Sequence, residues 1–290
     1  MTEFTYGEMT TRNRGFVNQA EQDRLRGARV FIPGVGGMGG AALMALLRAG
    51  VGHFVIADID VFEVSNLNRQ LFATLDTVGA LKAEAANAMA QKINPEVQIE
   101  VLGREWTEEL DHILTKVDVA INGMDHTGAG VHLYRRCAAF QKTLIDAYAA
   151  PLPSVTVVRP DAPRLEDRLN YPTRGIAWTD VTPAMATNSL MREIAYVLTH
   201  SSSHRYVDLE IAAEVAAGKR SRFSFSTMVT MAGTLMAEEA IRVILGRPGG
   251  TDHRGYFFNP HTTSVEKPLL APVAAVKGFM VQAFMKKMMA

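Results

Sequence analysis

The strongest constraint on the fold is a strand–glycine turn–helix–strand unit near the start of the chain. Residues Ala28–Pro33 and His53–Asp58 are apolar and predict two buried strands, and Gly34 to Gly40 predicts a glycine-rich turn. Between turn and second strand, Ala41–Ala49 is rich in helix formers and is followed by Gly50, a residue typical of helix ends. The unit has the length of a βαβ motif, about 30 residues, and therefore predicts two parallel strands.

The same alternation continues along the chain and predicts the fold class. Strands that alternate with helices are typical of a parallel, doubly wound sheet. We therefore expect an α/β fold with a Rossmann-like, mostly parallel sheet, helices on both faces and a C-terminal α+β extension. The predicted helices are Leu81–Asn94, Glu108–Thr115, Ala129–Phe140, Ala184–Leu198, Val207–Ala217, Thr227–Leu245 and Pro272–Met289, and the predicted strands are Val97–Val101, Val117–Asn122, Thr143–Ala147, 155–159, Gly255–Asn259 and Thr263–Lys267.

Prolines mark the boundary between an earlier and a later part of the chain. The segment Pro151–Pro183 holds six of the 12 prolines and has no clear periodicity, which is typical of a functional loop. We expect one fold with three parts: an N-terminal arm over residues 1–27, a core over 28–150, and a loop followed by helices and strands over 151–290.

Charge and cysteine content exclude several classes of protein. Lys plus Arg and Asp plus Glu each number 30, so the zero net charge argues against a large basic surface for nucleic acid. The single cysteine, Cys137, forms neither an intramolecular disulfide nor a multi-cysteine zinc site, and favours a cytoplasmic protein. The N-terminus lacks the apolar run of a signal peptide, and the longest apolar stretch, Phe225–Leu245, carries Glu238, Glu239 and Arg242 and predicts no transmembrane segment.

The glycine turn predicts a nucleotide site. Its sequence GVGGMG, residues 34–39, fits the pattern G-x-G-x-x-G between a strand and a helix. Such a turn lets backbone N–H groups approach a phosphate at the positive end of the helix. Asp58 ends the next strand, where a carboxylate accepts hydrogen bonds from ribose hydroxyls. These features fit NAD, FAD or ATP equally well.

The residues that follow distinguish between these nucleotides. The run DIDVFEVSNLNRQ, residues 58–70, is followed by Lys82 after the sequence VGAL. This pattern resembles the ubiquitin-activating-type adenylyltransferases of the ThiF, MoeB and HesA group, and the related tRNA threonylcarbamoyladenosine dehydratases. The resemblance implies a homodimer that uses ATP and Mg²⁺ to activate a carboxylate as an acyl-adenylate, with release of pyrophosphate. The carboxylate would belong to the C-terminus of a ubiquitin-like protein or a peptide.

The resemblance also implies roles for individual residues. Asp125, in NGMD, matches the aspartate associated with magnesium, and Arg14, in RNRG, matches an arginine that reaches the partner's ATP in a homodimer. Arg14, Arg69 and Lys82 would stabilise negative charge on phosphate oxygens during adenylation. The nucleotide-binding set that the resemblance implies is Gly34, Gly36, Gly37, Gly39, Asp58, Asn66, Asn68, Arg69 and Lys82.

The chain departs from the family pattern in ways that bear on mechanism. Many relatives bind zinc through two CxxC pairs, and this sequence has neither, so we expect no structural zinc. Residues 151–290 hold no cysteine, which favours release of the acyl-adenylate to an outside nucleophile, or cyclisation, over a thioester. Asn122 stands where relatives often carry another Asp, and Pro33 directly precedes the first glycine of the turn.

Three other functions stay open at this point. The first is activity on a modified tRNA base, as in the dehydratases, although the zero net charge argues against it. The second is an NAD(P)-dependent oxidoreductase, in which the SNLNRQ run would have no role. The third is a non-catalytic scaffold that keeps nucleotide binding. Among isolated features, Lys219, Arg220 and Arg222 predict a solvated turn that an anionic substrate can use, and the spacing of His200 and His204 is weak support for a metal site.

Overall fold

The computed structural model describes residues 3–216 and 219–289, without the side chains of residues 216 and 287–289. The α-helices are Tyr6–Met9 (α1), Gln19–Gly27 (α2), Gly37–Ala49 (α3), Lys82–Ile93 (α4), Trp106–Lys116 (α5), Thr127–Ala139 (α6), Leu165–Arg168 (α7), Pro183–His200 (α8), Leu209–Ala216 (α9), Ser226–Leu245 (α10) and Ala271–Met289 (α11). The strands are Arg29–Pro33 (β1), His53–Ala57 (β2), Gln98–Leu102 (β3), Val119–Ile121 (β4), Thr143–Asp146 (β5), Ser154–Val158 (β6), Tyr256–Asn259 (β7) and Ser264–Glu266 (β8).

All eight of these strands form one sheet, in the order β3-β2-β1-β4-β5-β6-β7-β8. The five strands from β3 to β5 are parallel, whereas β6, β7 and β8 each pair antiparallel with the preceding strand in that order. The predicted mostly parallel α/β fold is confirmed. The expected C-terminal extension is therefore an antiparallel continuation of the same sheet, together with α8 to α11.

Helices cover both faces of the sheet, because neighbouring side chains of each parallel strand point to opposite faces. Val30 and Ile32 of β1 belong to a buried apolar cluster with α3, α4 and α10. Phe31, between them, belongs to a second cluster with α5 and α6, where its ring lies 5.6 Å from that of Trp106. This pattern explains why β1 is apolar without interruption.

Several predicted boundaries differ from the observed ones. The helix after the glycine turn begins at Gly37 rather than at Ala41, so four residues assigned to the turn are helical. Helix α9 begins at Leu209 instead of Val207, and Ala217, the predicted last residue of that helix, lies outside the described residues. The segment 151–183, predicted to be a loop apart from one strand, contains β6, the short helix α7 and a 3-10 turn at Trp178–Asp180.

The N-terminal arm packs against the C-terminal end of α3. The Tyr6 hydroxyl donates to the carbonyl of Gly50 over 2.7 Å, and the Asn13 and Gln22 amides donate to the carbonyl of Ala49. These bonds satisfy carbonyl groups that a helix end leaves without partners. The arm is thereby fixed at the end of α3 that lies away from the glycine turn.

The proline-rich segment is attached to the earlier half through one arginine. Arg135 of α6 makes a bidentate ion pair with Glu166 of α7, with both nitrogen–oxygen distances at 2.8 Å. The same guanidinium donates to the carbonyls of Thr173 and Ile176. The Glu166 side chain is 2% exposed, so this is a buried charge with its partner in place. Among the described residues, no helix is long and apolar enough to cross a membrane.

Candidate active site

The predicted site residues follow parallel strands at one edge of the sheet. The glycine turn follows β1, Asp58 follows β2, and the loop 122–126 follows β4. Strands β1 and β4 are neighbours, and the chain runs from β1 to β2 on one side and from β4 to β5 on the other. Ligands of doubly wound sheets bind at such a topological switch point, beyond the carboxyl ends of the strands.

Three glycines allow the turn and the β4 loop to touch backbone to backbone. Gly34 has a φ of +83°, and a Cβ placed there would lie 2.5 Å from the carbonyl carbon of Gly123. A Cβ on Gly39 or on Gly123 would overlap the carbonyl oxygen of Gly34. Side chains at these positions would therefore force β1, α3 and β4 apart. Gly34 and Gly39, predicted to bind nucleotide, act here on the shape of the site.

Gly36 and Gly37 instead border the N-terminal end of α3. Gly36 is the N-cap residue and has no side-chain hydrogen bond to offer the first turn of the helix. The Gln70 side chain lies beside it and is 7% exposed, yet its Oε1 has no hydrogen-bond partner. The free N–H groups at the start of the helix can donate to a phosphate, and the buried Gln70 oxygen can accept from a hydroxyl or amino group of a ligand. The site therefore fits a nucleotide phosphate.

Asp58 is hydrogen-bonded to the glycine turn itself. Its Oδ2 accepts from the backbone N–H of Val35 over 2.9 Å, and its Oδ1 accepts from that of Asp60 over 3.0 Å. Partial burial raises the pKa of the Asp58 carboxyl, while these two bonds and the nearby charge of Lys82 oppose the rise. Asp58 is thus placed between β2 and the turn, where a ribose-binding acid is expected.

Lys82 opens α4, as the sequence predicts, and points back towards the loop after β2. Its Nζ lies 3.0 Å from Oδ2 of Asp60, and its side chain is 10% exposed while that of Asp60 is 65% exposed. Asp60 also accepts a hydrogen bond from the Lys82 backbone N–H through its carbonyl, over 2.9 Å. Asp60 is the second acid of the run DIDVFEVSNLNRQ, and its contact with Lys82 depends on a residue 22 positions away.

The SNLNRQ run forms a 3-10 turn, Val64–Asn66, and the residues after it. Asn66 is buried, and its side-chain oxygen accepts from the backbone N–H of Glu63 over 3.1 Å, which is a structural role in this turn. Arg69 donates to the carbonyl of Ser65 and to the Asn68 side chain. Within the described parts of the chain Arg69 makes no ion pair, so its charge is available to an anion.

Asn68 connects this turn to the region before α10. Its Nδ2 donates to the carbonyl of Ser224 over 3.0 Å. Two residues earlier, a guanidinium nitrogen of Arg222 lies 3.9 Å from Oδ2 of Asp125, whose side chain is 88% exposed. The segment 219–225 therefore runs from the β4 loop to the SNLNRQ turn. Its basic residues, predicted to form a solvated turn, lie partly at the edge of the candidate site.

Asp125 is presented by a short loop between β4 and α6. His126, the next residue, caps α6 by accepting from the backbone N–H of Ala129 at its Nδ1, over 3.1 Å. In the described part of the chain no group of three or more His, Cys, Asp or Glu side chains forms a cage for a metal. Mg²⁺ requires none, because it is commonly held by one or two carboxylates and substrate phosphates. The exposed Asp125 carboxylate fits that type of site.

Arg14 lies apart from the other predicted residues. It bonds to Gln19 of the arm, next to Asn13, which contacts the end of α3. Helix α3 has 13 residues and so separates Arg14 from the glycine turn of its own chain by about 20 Å. The structure brings together Gly34 to Gly39, Asp58, Asn68, Arg69, Lys82 and Asp125, but not Arg14.

The histidines and the cysteine have structural environments. His200 ends α8 and accepts from the backbone N–H of Leu269 at its Nδ1, over 3.0 Å, which gives no support for a metal site with His204. Cys137 is 1% exposed in α6, and burial raises the pKa of its thiol to about 12. A thiol in that state is a poor nucleophile at neutral pH.

Sequence comparison relates this chain to enzymes with several named activities. It is 34% identical to the tRNA threonylcarbamoyladenosine dehydratase of Bacillus subtilis, over 48% of this chain and 56% of the relative. It is 29% identical to the molybdopterin-synthase adenylyltransferase of Haemophilus influenzae, over 58% and 72%. The SAMP-activating enzyme E1 of Haloferax volcanii is 39% identical over 36% of this chain and 39% of that protein. This chain covers 56% of the dehydratase and 28% of an adenylyltransferase and sulfurtransferase UBA4 from Lodderomyces elongisporus.

Solved structures support the same fold. MccB of E. coli, solved with ATP, superimposes with a TM-score of 0.60 at 18% identity, over 86% of this chain and 65% of that one. PaaA gives a TM-score of 0.58 at 17% identity, over 91% and 80%. The model of the ThiF family matches residues 10–274, which is most of the chain. The chain therefore belongs to the ThiF family.

Proposed function

We propose that this protein is an ATP-dependent adenylyltransferase that activates the carboxylate of a peptide or a ubiquitin-like protein C-terminus. One observation carries the proposal: the α3 N-terminus, Asp58, Arg69, Lys82 and Asp125 meet at one edge of the sheet. An oxidoreductase built on the same turn would have no use for Arg69 and Lys82. Family membership and the E1-type relatives support the hypothesis of an adenylyltransferase.

The chemistry requires charge stabilisation and positioning rather than a protein nucleophile. A substrate carboxylate oxygen attacks the α-phosphorus of ATP, the bond from that phosphorus to the bridging oxygen of the β-phosphate breaks, and pyrophosphate leaves. Negative charge increases on the phosphate oxygens, and Arg69 and Lys82 would stabilise it. Lys82 pairs with Asp60, whose carboxylate is 65% exposed, so a phosphate oxygen can approach the same Nζ.

Asp125 is the residue that we propose to hold magnesium. A bound Mg²⁺ would neutralise charge on the triphosphate and help to orient it. The neighbouring Arg222 guanidinium, 3.9 Å from Asp125, lies where it can contact the same phosphates. Asp58 would accept from the ribose, and the N–H groups at the start of α3 would bind a phosphate.

We further propose a homodimer in which each Arg14 enters the partner's site. Arg14 cannot reach the glycine turn of its own chain, because α3 lies between them. Large apolar side chains are exposed both in the arm and in the loop that precedes α4. Phe16 is 85% exposed, Leu75 81% and Val64 68%. Such side chains are typical of an interface, and a dimer formed through the arm and this loop would cover them.

The acceptor of the activated acyl group is an outside nucleophile or a group of the same substrate. Cys137 is buried in α6 with a raised pKa, and no other cysteine occurs in the sequence. A thioester on this chain is therefore not part of the proposal. The single cysteine also favours a cytoplasmic location.

A second candidate is activity on a modified tRNA base. The similarity to the Bacillus subtilis tRNA threonylcarbamoyladenosine dehydratase favours it. The activated carboxylate would then belong to the threonyl group of the base. The two candidates share the adenylation step and differ in the molecule that supplies the carboxylate, which is a peptide or protein in the first and a tRNA in the second.

Pyrophosphate exchange into ATP tests both candidates. Exchange that depends on peptides with a free C-terminal carboxylate, and is absent with the amidated peptides, supports the first candidate. Exchange that depends on tRNA carrying the modified base supports the second. ATP binding without exchange for any carboxylate would favour a non-catalytic scaffold and contradict both.

Two substitutions test the residue assignment. Arg69→Ala and Asp125→Ala together should abolish ATP binding measured by calorimetry. Arg48→Ala, which removes a surface charge on α3, is the matched control and should bind like the wild type. Unchanged binding in the double variant would exclude these residues from the site.

A further inference from the structure

The last residue of β5, Asp146, is a buried carboxylate with three hydrogen-bond donors. It is 7% exposed. Its Oδ2 accepts from the Tyr134 hydroxyl over 2.6 Å and from the Asn122 amide over 3.0 Å, and its Oδ1 accepts from the backbone N–H of Ala147 over 2.7 Å. Burial nevertheless raises the pKa of Asp146 to about 7, so desolvation outweighs these bonds. Because burying a carboxylate is unfavourable, the presence of Asp146 at this position needs a physical reason.

Its partners lie on both sides of the loop that carries Asp125. Asn122 directly follows β4 and begins the loop, whereas Tyr134 lies on α6, which begins where the loop finishes. One carboxylate therefore links β4, β5 and α6. Any rotation of α6 relative to β4 would have to break one of the two side-chain bonds to Oδ2.

The link continues from Asp146 into the loop itself. Asn122 uses its Nδ2 on Asp146 and its Oδ1 on the backbone N–H of Met124, over 3.2 Å. Among the described residues, backbone bonds hold the loop as far as Gly123, whose N–H donates to the carbonyl of Pro33 over 2.9 Å. Beyond that point the amide of Met124, the residue just before Asp125, is held by the Asn122 side chain.

The orientation of Asn122 is therefore set by Asp146. When it is ionised, Asp146 only accepts hydrogen bonds, so the Asn122 amide turns its nitrogen towards Asp146 and its oxygen towards Met124. With an amide or a hydroxyl at position 146, that preference would be lost. In this chain the amide stands just after β4, and the acid stands at the end of the neighbouring strand β5.

We propose that Asp146 is a positioning residue, which orients Asn122 and through it the loop that presents Asp125 to magnesium-bound nucleotide. The inference rests on the proposed function. It assigns Asp146 no contact with substrate. Its effect is on the affinity for MgATP, and it reaches the nucleotide only through Asn122 and the Met124 amide.

An exchange of the two side chains tests the inference. Asp146→Asn removes the carboxylate, and Asn122→Asp places two buried carboxylates side by side. Each should weaken MgATP binding about 10-fold in calorimetry, while ATP binding in EDTA stays within about twofold. The double variant restores one acid and one amide, with the Met124 N–H still accepted by position 122. Its MgATP affinity should return to within about threefold of the wild type.

Thermal unfolding of each variant separates positioning from a loss of stability. Val157→Ala, in the core of β6, is the matched control: it should lower the Tm and leave the preference for MgATP over metal-free ATP unchanged. If a single variant does not fold, Tyr134→Phe removes one donor to Asp146 and should weaken MgATP binding about threefold. Failure of the folded double variant to recover would overturn the inference.

The wild type distinguishes this inference from the proposed function. A wild-type chain that binds no ATP overturns the proposed function and the inference with it. A wild-type chain that binds MgATP, with Asp146→Asn folded and showing the same preference for the magnesium complex, overturns the inference alone.

Discussion

The two halves of the sheet differ in how their polar side chains are used. In the parallel half, residues 29–146, polar groups cluster at the strand ends and several have exposed or incompletely satisfied atoms, as Asp125 and Gln70 do. In the antiparallel half, among the described residues of 151–289, several polar side chains bond to distant parts of the fold. Asn259 and Glu266, for example, hold the Ser202 turn. The first half supplies most of the candidate site, whereas these bonds of the second half hold segments without regular structure in place.

Among the polar contacts, the buried ion pair that joins the halves should give the largest effect. Glu166→Gln leaves the Arg135 guanidinium without its carboxylate, which is expected to lower the free energy of unfolding by about 3 kcal/mol in chemical denaturation. Asp111→Asn, which breaks the exposed pair with the adjacent Arg136, should cost less than about 1 kcal/mol. An equal loss of stability in the two variants would contradict the expected difference between the buried pair and the exposed pair.

The glycine contact in the parallel half comes second. Gly39→Ala places a methyl group against the Gly34 carbonyl, and should cost about 1–3 kcal/mol of stability and abolish ATP binding. Gly7→Ala is the control, because a Cβ there meets nothing within 4 Å. It should be neutral or stabilising by up to about 1 kcal/mol. If Gly39→Ala still binds ATP, the glycine turn is not part of the ATP-binding site.

A smaller effect should appear in the pH dependence of the later half. Burial, together with the charges of Arg168 and Lys277, lowers the pKa of His200 to about 4. In the unfolded chain the pKa is about 6.5, so between these values the unfolded state binds more protons and stability falls as the pH falls. His200→Asn keeps an acceptor for the Leu269 N–H. The free energy of unfolding should fall less from pH 7 to 5 in this variant than in the wild type. Equal falls in the two proteins would show that His200 does not cause this pH dependence.

The smallest effect is expected on the outer face of α11. Phe279 is 75% exposed, so Phe279→Ser should change the stability of the monomer by no more than about 0.5 kcal/mol. Phe257→Ala, at a residue with 0% exposure on β7, should cost about 3–5 kcal/mol. A large, concentration-dependent loss with Phe279→Ser would place this face in an interface.

The features that the sequence predicts correctly are local ones. The βαβ unit, the acid after β2 and the lysine at the start of α4 each follow from neighbouring residues, because strand ends and helix starts are set by short-range geometry. The roles of the nucleotide residues stay predictions, since no ligand contact tests them. The motif does not predict every side-chain contact. The Asn66 side chain, for example, accepts a hydrogen bond from the Glu63 backbone within the turn.

The remaining features depend on contacts between distant residues. The role that we propose for Asp146 depends on its hydrogen bonds to Tyr134 and Asn122, which lie 12 and 24 positions away in the sequence. Arg135 anchors a segment more than 30 residues further on, so the order within 151–183 could not be read from its prolines. The antiparallel pairing of β7 with β6 closes a separation of about 100 residues, for which periodicity carries no information.

The buried Cys137 has a practical consequence. With one inaccessible thiol of raised pKa, the native chain offers maleimide reagents almost no reactive group. Any cysteine introduced at the surface becomes the single site of labelling, with no prior removal of native thiols. Phe16→Cys would thus report on the arm by a fluorophore, a spin label or an oxidative cross-link between two copies, and the geometry of assembly could be measured one distance at a time.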